Sequence, residues 1–323
     1  MNHGINHSLV IELIVTGILY GTPLLIAGLG ELLAERSGVL NLGVEGMMLM
    51  GAVVAFWVSR DVSGPNGLVL IIAILAAAAA AALTSLLHAF MTITLRANQV
   101  VSGLALTIFA GAVGLSSYVA DLAGLGGNPG RHVMHSIDVF GLKDVPVLGP
   151  ILFDQTAMVY VSWLMVIVVS LYVNRTRAGL HMRAVGEDPH AADAMGINVA
   201  RTRYAHVLAG GAFAGIAGSF FTLAISSVWT NGITNGDGWI ALALVIFAFW
   251  RPGAVLAGAY FFGVVSALGP NLEARGVNLP SEVFSALPYV MTLIVLVIVA
   301  SGLGKGRLGA PAGLGVPYAR DGG

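Results

Sequence analysis

The feature that most constrains this chain is a series of nine stretches without a single Asp, Glu, Lys or Arg. They are Leu13–Gly30, Gly46–Ser59, Ser63–Leu95, Ala97–Ala120, Gln155–Asn174, Tyr204–Gly236, Gly238–Trp250, Pro252–Leu272 and Val283–Gly304. About 20 apolar residues in a helix cross the hydrocarbon core of a bilayer, and most of these runs reach that length. Only 10% of the 323 residues are charged, against about 25% in soluble domains. In lipid every backbone polar group needs an internal partner, which a helix supplies within its own segment. The expectation is an all-α polytopic membrane protein of about nine (8–10) transmembrane helices, a single domain over 1–323. Gly46–Ser59 and Gly238–Trp250 are short and follow Gly-rich approaches, which leaves tilted, broken or re-entrant helices open. The first run has no Lys/Arg-rich leader and continues to Gly30, so it reads as a first span rather than a signal peptide.

Lys and Arg set orientation, because cytoplasmic loops carry an excess of them. Five of the 15 lie in one loop, as Arg175, Arg177, Arg183, Arg201 and Arg203, and Lys305 and Arg307 follow the last run. Both segments are expected in the cytoplasm. Residues 121–154 carry four Asp against Arg131 and Lys143, which suits an external loop. The N-terminus is then outside and the C-terminus inside. The chain divides into a first half of about 10–174, a polar loop 175–203, a second half 204–304 and a tail 305–323. No other basic patch is present to hold nucleic acid, so the expected surroundings are membrane lipid.

Within the polar loop, Gly186-Glu-Asp-Pro-His-Ala-Ala-Asp-Ala-Met-Gly196 reads as a short helix with marked ends. Asp188 suits the N-cap, Pro189 the first helical position, and Gly196 the left-handed position past the end. Such a helix in a basic loop is either a surface presented to a cytoplasmic partner or part of an ordinary topology-setting loop.

Each half also holds a Gly-punctuated approach to a short apolar run. These are Gly38-Val-Leu-Asn-Leu-Gly-Val-Glu-Gly-Met47 and Asn235-Gly-Asp-Gly-Trp-Ile-Ala-Leu-Ala-Leu244, in which Glu45 and Asp237 each precede a glycine. Paired, Gly-interrupted short segments point to internally related halves around a translocation path. The 43 glycines are expected mainly at close helix contacts, as in Gly211-Ala-Phe-Ala-Gly215 with Gly218.

Polar residues at membrane depth are the candidates for function. Glu45 has two readings: a carboxylate that pairs with Arg36 or caps backbone N–H groups, or a participant in a transport cycle. Asn41, Asn98 and Gln99 stand at span entrances. Asn231, Asn235 and Asp237 lie between Trp229 and Trp239, where amides and indoles suit a sugar or nucleoside; the alternative for the two Trp is an interfacial aromatic belt. His88 and His206 read as helix–helix hydrogen-bonding groups. No catalytic constellation, metal site, cofactor site or Walker-type phosphate loop is visible, so the chain is not expected to be an enzyme. There is no cysteine.

Four segments carry a family resemblance. They are Gly38–Met47, Ala97-Asn-Gln-Val-Val-Ser-Gly103, Arg183–Ala192 with Gly196-Ile197, and Gly236–Ala243 followed by Trp250-Arg-Pro-Gly253. Together they resemble the permease subunits of bacterial ABC importers for branched-chain amino acids, simple sugars and nucleosides. The nearest branch is the nucleoside/simple-sugar one, which works with a basic-membrane-protein type lipoprotein. The resemblance spans roughly Gly21 to Gly304. It implies a type II importer-like fold in the bacterial cytoplasmic (inner) membrane, and a coupling helix at Asp188–Gly196 supported by Arg183, Glu187, Pro189, Ala192 and Met195. It also implies three partners: an ABC ATPase subunit that hydrolyses ATP, a second permease (paralogous or identical), and an extracytoplasmic binding lipoprotein. The substrate it implies is a nucleoside, with a simple sugar as the alternative; from another class, an ion-coupled secondary transporter competes. Asn41, Glu45, Asn98, Gln99, Trp229, Asn231, Asn235, Asp237 and Trp239 are the expected translocation-path residues by position alone.

Overall fold

The computed structural model describes residues 3–127, 129–277, 280–300 and 309–320. Lys305 and Arg307, part of the expected tail, lie outside them. The chain is mostly helical, with α1 (His3–Arg36), α2 (Val44–Asp61), α3 (Asn66–Ala89), α4 (Gln99–Ala110), α5 (Leu115–Leu122), α6 (Ala157–Arg175), α7 (Arg177–Glu187), α8 (Pro189–Ala194), α9 (Val199–Phe220), α10 (Asp237–Phe247), α11 (Pro252–Glu273) and α12 (Ser281–Ala300). Six helical segments are long and apolar enough to cross a membrane: Leu9–Arg36, Asn66–Thr94, Gln99–Leu122, Ala157–Arg175, Val199–Ile225 and Pro252–Glu273. Asp237–Phe247 and Glu282–Val297 are shorter apolar helices.

The structure departs from the all-α expectation at one place. β1 (Ser136–Asp138) and β2 (Asp154–Thr156) pair antiparallel, with Ile137 opposite Gln155. They lie in the aspartate-bearing loop, where extended backbone needs a partner strand to satisfy its polar groups. A second departure is α7, a full helix where the polar loop promised only one short one. A third is the Ala97–Ala120 run, which breaks into α4 and α5 at Gly111–Gly114. By contrast Gly46–Ser59 lies within one unbroken 18-residue helix, α2.

The long α1 runs through the centre of the bundle. It is 34 residues, or about 51 Å at 1.5 Å per residue. One apolar cluster joins Leu25, Leu29 and Leu32 to Val166 of α6, Leu244 of α10 and Phe262 of α11. A second joins Ile26 and Ala27 to Met47 and Met48 of α2 and to Ala214 and Phe220 of α9. Hydrophobicity does not drive helices together in lipid, so close approach of small residues must contribute. A side chain at Gly30 would lie 2.8 Å from the carbonyl oxygen of Gly210, and one at Gly211 would run 3.0 Å from that of Ala81. Gly215 faces Gly51 and Ala77, and Gly218 faces the Met48 backbone. The small-residue stripe of α9 is thus wedged between α1, α2 and α3. Large apolar side chains on α3 (Leu68, Ile71, Leu75, Leu83) and α6 (Leu164, Ile167, Leu171) point outward. An apolar exterior of this extent suits a hydrocarbon solvent.

The bundle has two distinct ends. At one, Arg36 of α1 donates through Nη2 to the Trp250 carbonyl (3.0 Å), next to α7 and α8. At the other, Arg60 at the end of α2 donates to the carbonyls of Ala123 (2.6 Å) and Gly124 (2.5 Å), and Arg275 pairs with Glu12 (2.5 Å).

Candidate functional site

Two short helices begin inside the bundle and meet there. After α1 the chain turns back through 37–43 and starts α2; after α9 it returns through 226–236 and starts α10. The first N–H groups of a helix lack intrahelical acceptors and carry a partial positive charge. At α10 these groups are met by Glu45, from the first turn of α2. Glu45 Oε1 accepts from Thr234 Oγ1 (2.5 Å) and Gly236 N (3.0 Å), and Oε2 accepts from Gly238 N (2.8 Å). One carboxylate therefore lies at the N-terminal ends of both short helices, one from each half of the sequence. Within the structural reading it is backbone capping that is realised, at a helix 189 residues or more away, and not a pairing with Arg36, which donates to the Trp250 carbonyl. Gly236 has φ +84 and faces Tyr289, so only a glycine fits the turn.

Each approach is held by further buried polar groups. Asn41 is fully buried; its N–H donates to Glu31 Oε1 (3.1 Å), and its Oδ1 accepts from Gly43 N (3.1 Å). Leu40 N donates to Gln99 Oε1 (2.7 Å). Asn98 caps α4 by accepting from Val101 N (3.1 Å). His88 bridges Ser102 Oγ (3.0 Å) and the Leu40 carbonyl (3.1 Å), so it too fixes this loop. His206 contacts Tyr172 Oη (2.8 Å) and the Thr202 carbonyl (2.7 Å).

Beside the Glu45 junction is a cavity of about 490 Å³. Tyr20, Phe221, Thr234, Asp237, Phe284 and Tyr289 line it, and so does Asn235. No hydrogen bond among the described residues engages the Asp237 carboxylate. The cavity combines aromatic walls, hydroxyls and a carboxylate, and its size is in the usual range for small-molecule sites.

The expected path residues separate into three places. Glu45, Asn235 and Asp237 come together at the junction and cavity. Asn41, Asn98 and Gln99 support the approach to α2. Trp229 and Asn231 lie apart from the junction: Trp229 is buried among Ala52, Phe56 and Leu125 and donates to Asn231 Oδ1 (3.1 Å), which in turn binds Ser117 (3.0 Å). A buried Trp229 is not part of an interfacial belt. Trp239 is half-buried and does not line the cavity.

Tyr20, Tyr289, Glu31 and Glu35 did not stand out in the sequence. Glu31 and Glu35 sit one turn apart on α1 and are fully buried. Glu35 Oε2 accepts from Trp250 Nε1 (2.5 Å), while Glu31 Oε2 and Glu35 Oε1 have no partner among the described residues. Their i, i+4 spacing on an apolar helix was the available signal. Trp250 and its neighbour Phe249 have φ +53 and +50, a left-handed break between α10 and α11.

At the arginine-rich end, α8 has the ends its sequence indicates. Asp188 Oδ1 accepts from His190 N and Ala191 N, each 3.0 Å, and Gly196 has φ +83. Ala192 packs with Val185 and Val199, Pro189 is buried, Arg183 is half-buried, and Met195 is 83% exposed. The described tail folds back over this region. Gly313 N donates to the Gly186 carbonyl (2.8 Å), Ala312 N to Glu187 Oε2 (3.2 Å), and Arg320 pairs with Asp193 (3.0 Å).

The family model for the branched-chain amino acid transport system / permease component matches residues 13–296. The chain belongs to this family. Among similar proteins of this permease is the "Putative glucose ABC transporter permease protein TsgC13" of Haloferax volcanii, 39% identical, the match covering 93% of this chain and 95% of that one. The guanosine ABC transporter permease protein NupQ of Bacillus subtilis is 34% identical, over 96% of this chain and 97% of its own. The nucleoside ABC transporter permease protein NupC of Lactococcus lactis is 34% identical, over 95% and 97% respectively. The permease is thus a multi-pass membrane component of the ABC transporter class.

Proposed function

We propose that this permease forms the translocation path of an ATP-driven nucleoside importer. The observation that carries this reading is the cavity of about 490 Å³ beside the Glu45 junction, with Asp237 in its wall, unpaired among the described residues, and aromatic rings around it. Aromatic faces stack on a base, and a carboxylate accepts from ribose hydroxyls. The guanosine and nucleoside permeases similar to it support the same substrate class. The N-terminal ends of α2 and α10 meeting at Glu45, one from each half of the sequence, support the division into related halves, because helix N-termini that meet inside a bundle accompany transport sites.

The arrangement of the machine follows from the same reading. The arginine-rich end faces the cytoplasm, with the N-terminus outside, the C-terminus inside and about nine (8–10) crossings, of which six are helical segments long and apolar enough to span. The capped α8, with Met195 exposed, docks on a separate ATPase that supplies the energy. A second permease and an external binding protein complete the importer.

A sugar substrate is the second reading, favoured by the 39% identity to the glucose permease-named relative. Uptake by the assembled transporter in proteoliposomes decides between them. Saturable, ATP-dependent uptake of guanosine or adenosine is expected. Uptake of glucose or ribose that nucleosides fail to compete with overturns the nucleoside reading. Ion-gradient-driven uptake without any ATPase overturns the ATP-driven one.

A further inference from the structure

A second cavity, of about 380 Å³, lies at the arginine-rich end, away from the junction. Ile93, Thr94 and Arg96 close it on the α3 side, Val199 and Ala200 form its floor, and Arg203, Tyr318 and Arg320 complete it with Asp193. Three arginines therefore face one carboxylate, and Asp193 is already paired with Arg320. Among the described residues Arg96 has no ion pair and no side-chain hydrogen bond. Arg203 is 1% exposed, yet among the described residues its guanidinium makes one hydrogen bond, from Nη1 to the Val316 carbonyl (3.2 Å), and Nε and Nη2 are buried without partners there. A buried guanidinium with no counter-charge is costly, and arginine forks match the oxygens of phosphate and carboxylate groups.

The floor adds to this. Val199 and Ala200 are the first two residues of the 22-residue α9. Asn198 Oδ1 accepts from Arg201 N (2.8 Å), and among the described residues the N–H groups of Val199 and Ala200 have no acceptor. Helix N-terminal N–H groups receive anions, phosphate in particular. The rim is apolar and outward-facing: Phe90, Met91 and Leu95, next to Ile93 and Thr94, are 48%, 42% and 55% exposed. A basic recess at the end of a membrane helix, with apolar side chains at its lip, suits the headgroup of an anionic lipid whose acyl chains run along α3.

We infer that this recess is a phosphate-binding site, occupied by the phosphodiester of an anionic phospholipid. Arg96 and Arg320 are its accessible cations, Arg203 the buried one, and the α9 N-terminus its backbone donor. Because Arg320 also holds Asp193 of α8, the bound phosphate shares its ligands with the capped helix.

The test uses the full chain purified in detergent and a native mass measurement of retained lipid after exposure to phosphatidylglycerol or phosphatidylcholine. Arg96→Gln with Arg320→Gln is the site variant: both residues are on the surface, and the Arg320–Asp193 pair that it removes is an exposed one, worth little to the fold. Arg175→Gln, an exposed arginine outside the recess, is the control. Preferential retention of phosphatidylglycerol by the wild type, falling at least tenfold in the site variant and not in the control, is the expected result. Equal loss in the control, or no loss in the site variant, overturns the site. A separate titration with millimolar inorganic phosphate, read by protection of Arg96 from guanidine-modifying reagent, separates the sources. Protection by phosphate with no phosphatidylglycerol preference overturns the lipid occupant and keeps a free-anion site; neither response overturns the proposal entirely.

Discussion

Glu45 and Gly238 are 193 residues apart in sequence, yet the Gly238 N–H donates to Glu45 Oε2 at 2.8 Å. The contact joins the first turn of α2 to the first turn of α10. Two more donors, Thr234 Oγ1 and Gly236 N, reach the same carboxylate. Removing an acceptor leaves each buried donor unsatisfied, at about 1–3 kcal/mol apiece. Glu45→Ala is therefore expected to lower stability by several kcal/mol, seen as a lower melting temperature of the detergent-solubilised chain. Glu45→Gln keeps one acceptor oxygen and is expected to fall between alanine and wild type. A Glu45→Ala chain as stable as wild type contradicts the junction.

The same contact makes a steric prediction. A Cβ at Gly238 would lie 2.6 Å from both Cα and N of Glu45, and neither backbone atom can step aside cheaply. Gly238→Ala is expected to push α10 from α2 and abolish uptake. Gly253 offers the matched control, since it sits in the first turn of α11 with nothing within 4 Å of an added Cβ. Gly253→Ala is expected to leave uptake intact and to gain up to about 1 kcal/mol from reduced chain entropy. The two variants are compared by expression level, thermal stability and uptake rate.

What could be read in advance follows the range of the forces involved. The α8 ends were legible because capping is local: Asp188 and Gly196 act on residues two or three positions away. The short α10 and the Gly-flanked approaches were legible for the same reason. The partner of Glu45 was not, because no local pattern reports a donor 189 residues distant. Counting charge-free residues located apolar helices, six of them long enough to cross a membrane, but missed the break at Gly111–Gly114, since a broken backbone leaves no mark on charge. Glu31 and Glu35 looked like the end of the first span, whereas α1 continues through them to Arg36. Nothing local in the tail reports its folding over Gly186 and Asp193, which rests on tertiary contacts alone.

Asp188 gives a prediction at the proposed docking surface. It satisfies two N–H groups of a six-residue helix, and loss of an N-cap costs about 0.5–2 kcal/mol. So short a helix has little else to hold its first turn. Asp188→Ala is expected to fray α8 and weaken stimulation of the ATPase by substrate, with the melting temperature of the membrane bundle nearly unchanged. Met195→Glu places a charge on an 83% exposed apolar side chain and is expected to weaken co-purification with the ATPase. Full coupling in both variants removes α8 from the docking role.

The cavity separates recognition from stability. Asp237 lines it without a hydrogen bond among the described residues, so replacing it by the isosteric Asn costs the fold little. Asn replaces one carboxyl oxygen by an amide nitrogen and so takes away an acceptor for two adjacent hydroxyls, and a buried hydrogen-bonding group left unpaired costs about 1–3 kcal/mol. Asp237→Asn is therefore expected to raise the apparent KM for nucleoside uptake by roughly tenfold to a hundredfold, with a melting temperature close to wild type. Tyr289→Phe removes the hydroxyl that donates to the Asn235 carbonyl and loosens the turn that presents Asp237, so a smaller KM increase is expected there. A 2′-deoxynucleoside lacks one of the hydroxyls that Asp237 would receive, and the penalty for that analogue should vanish in Asp237→Asn. An equal penalty in wild type and variant places ribose recognition elsewhere in the path.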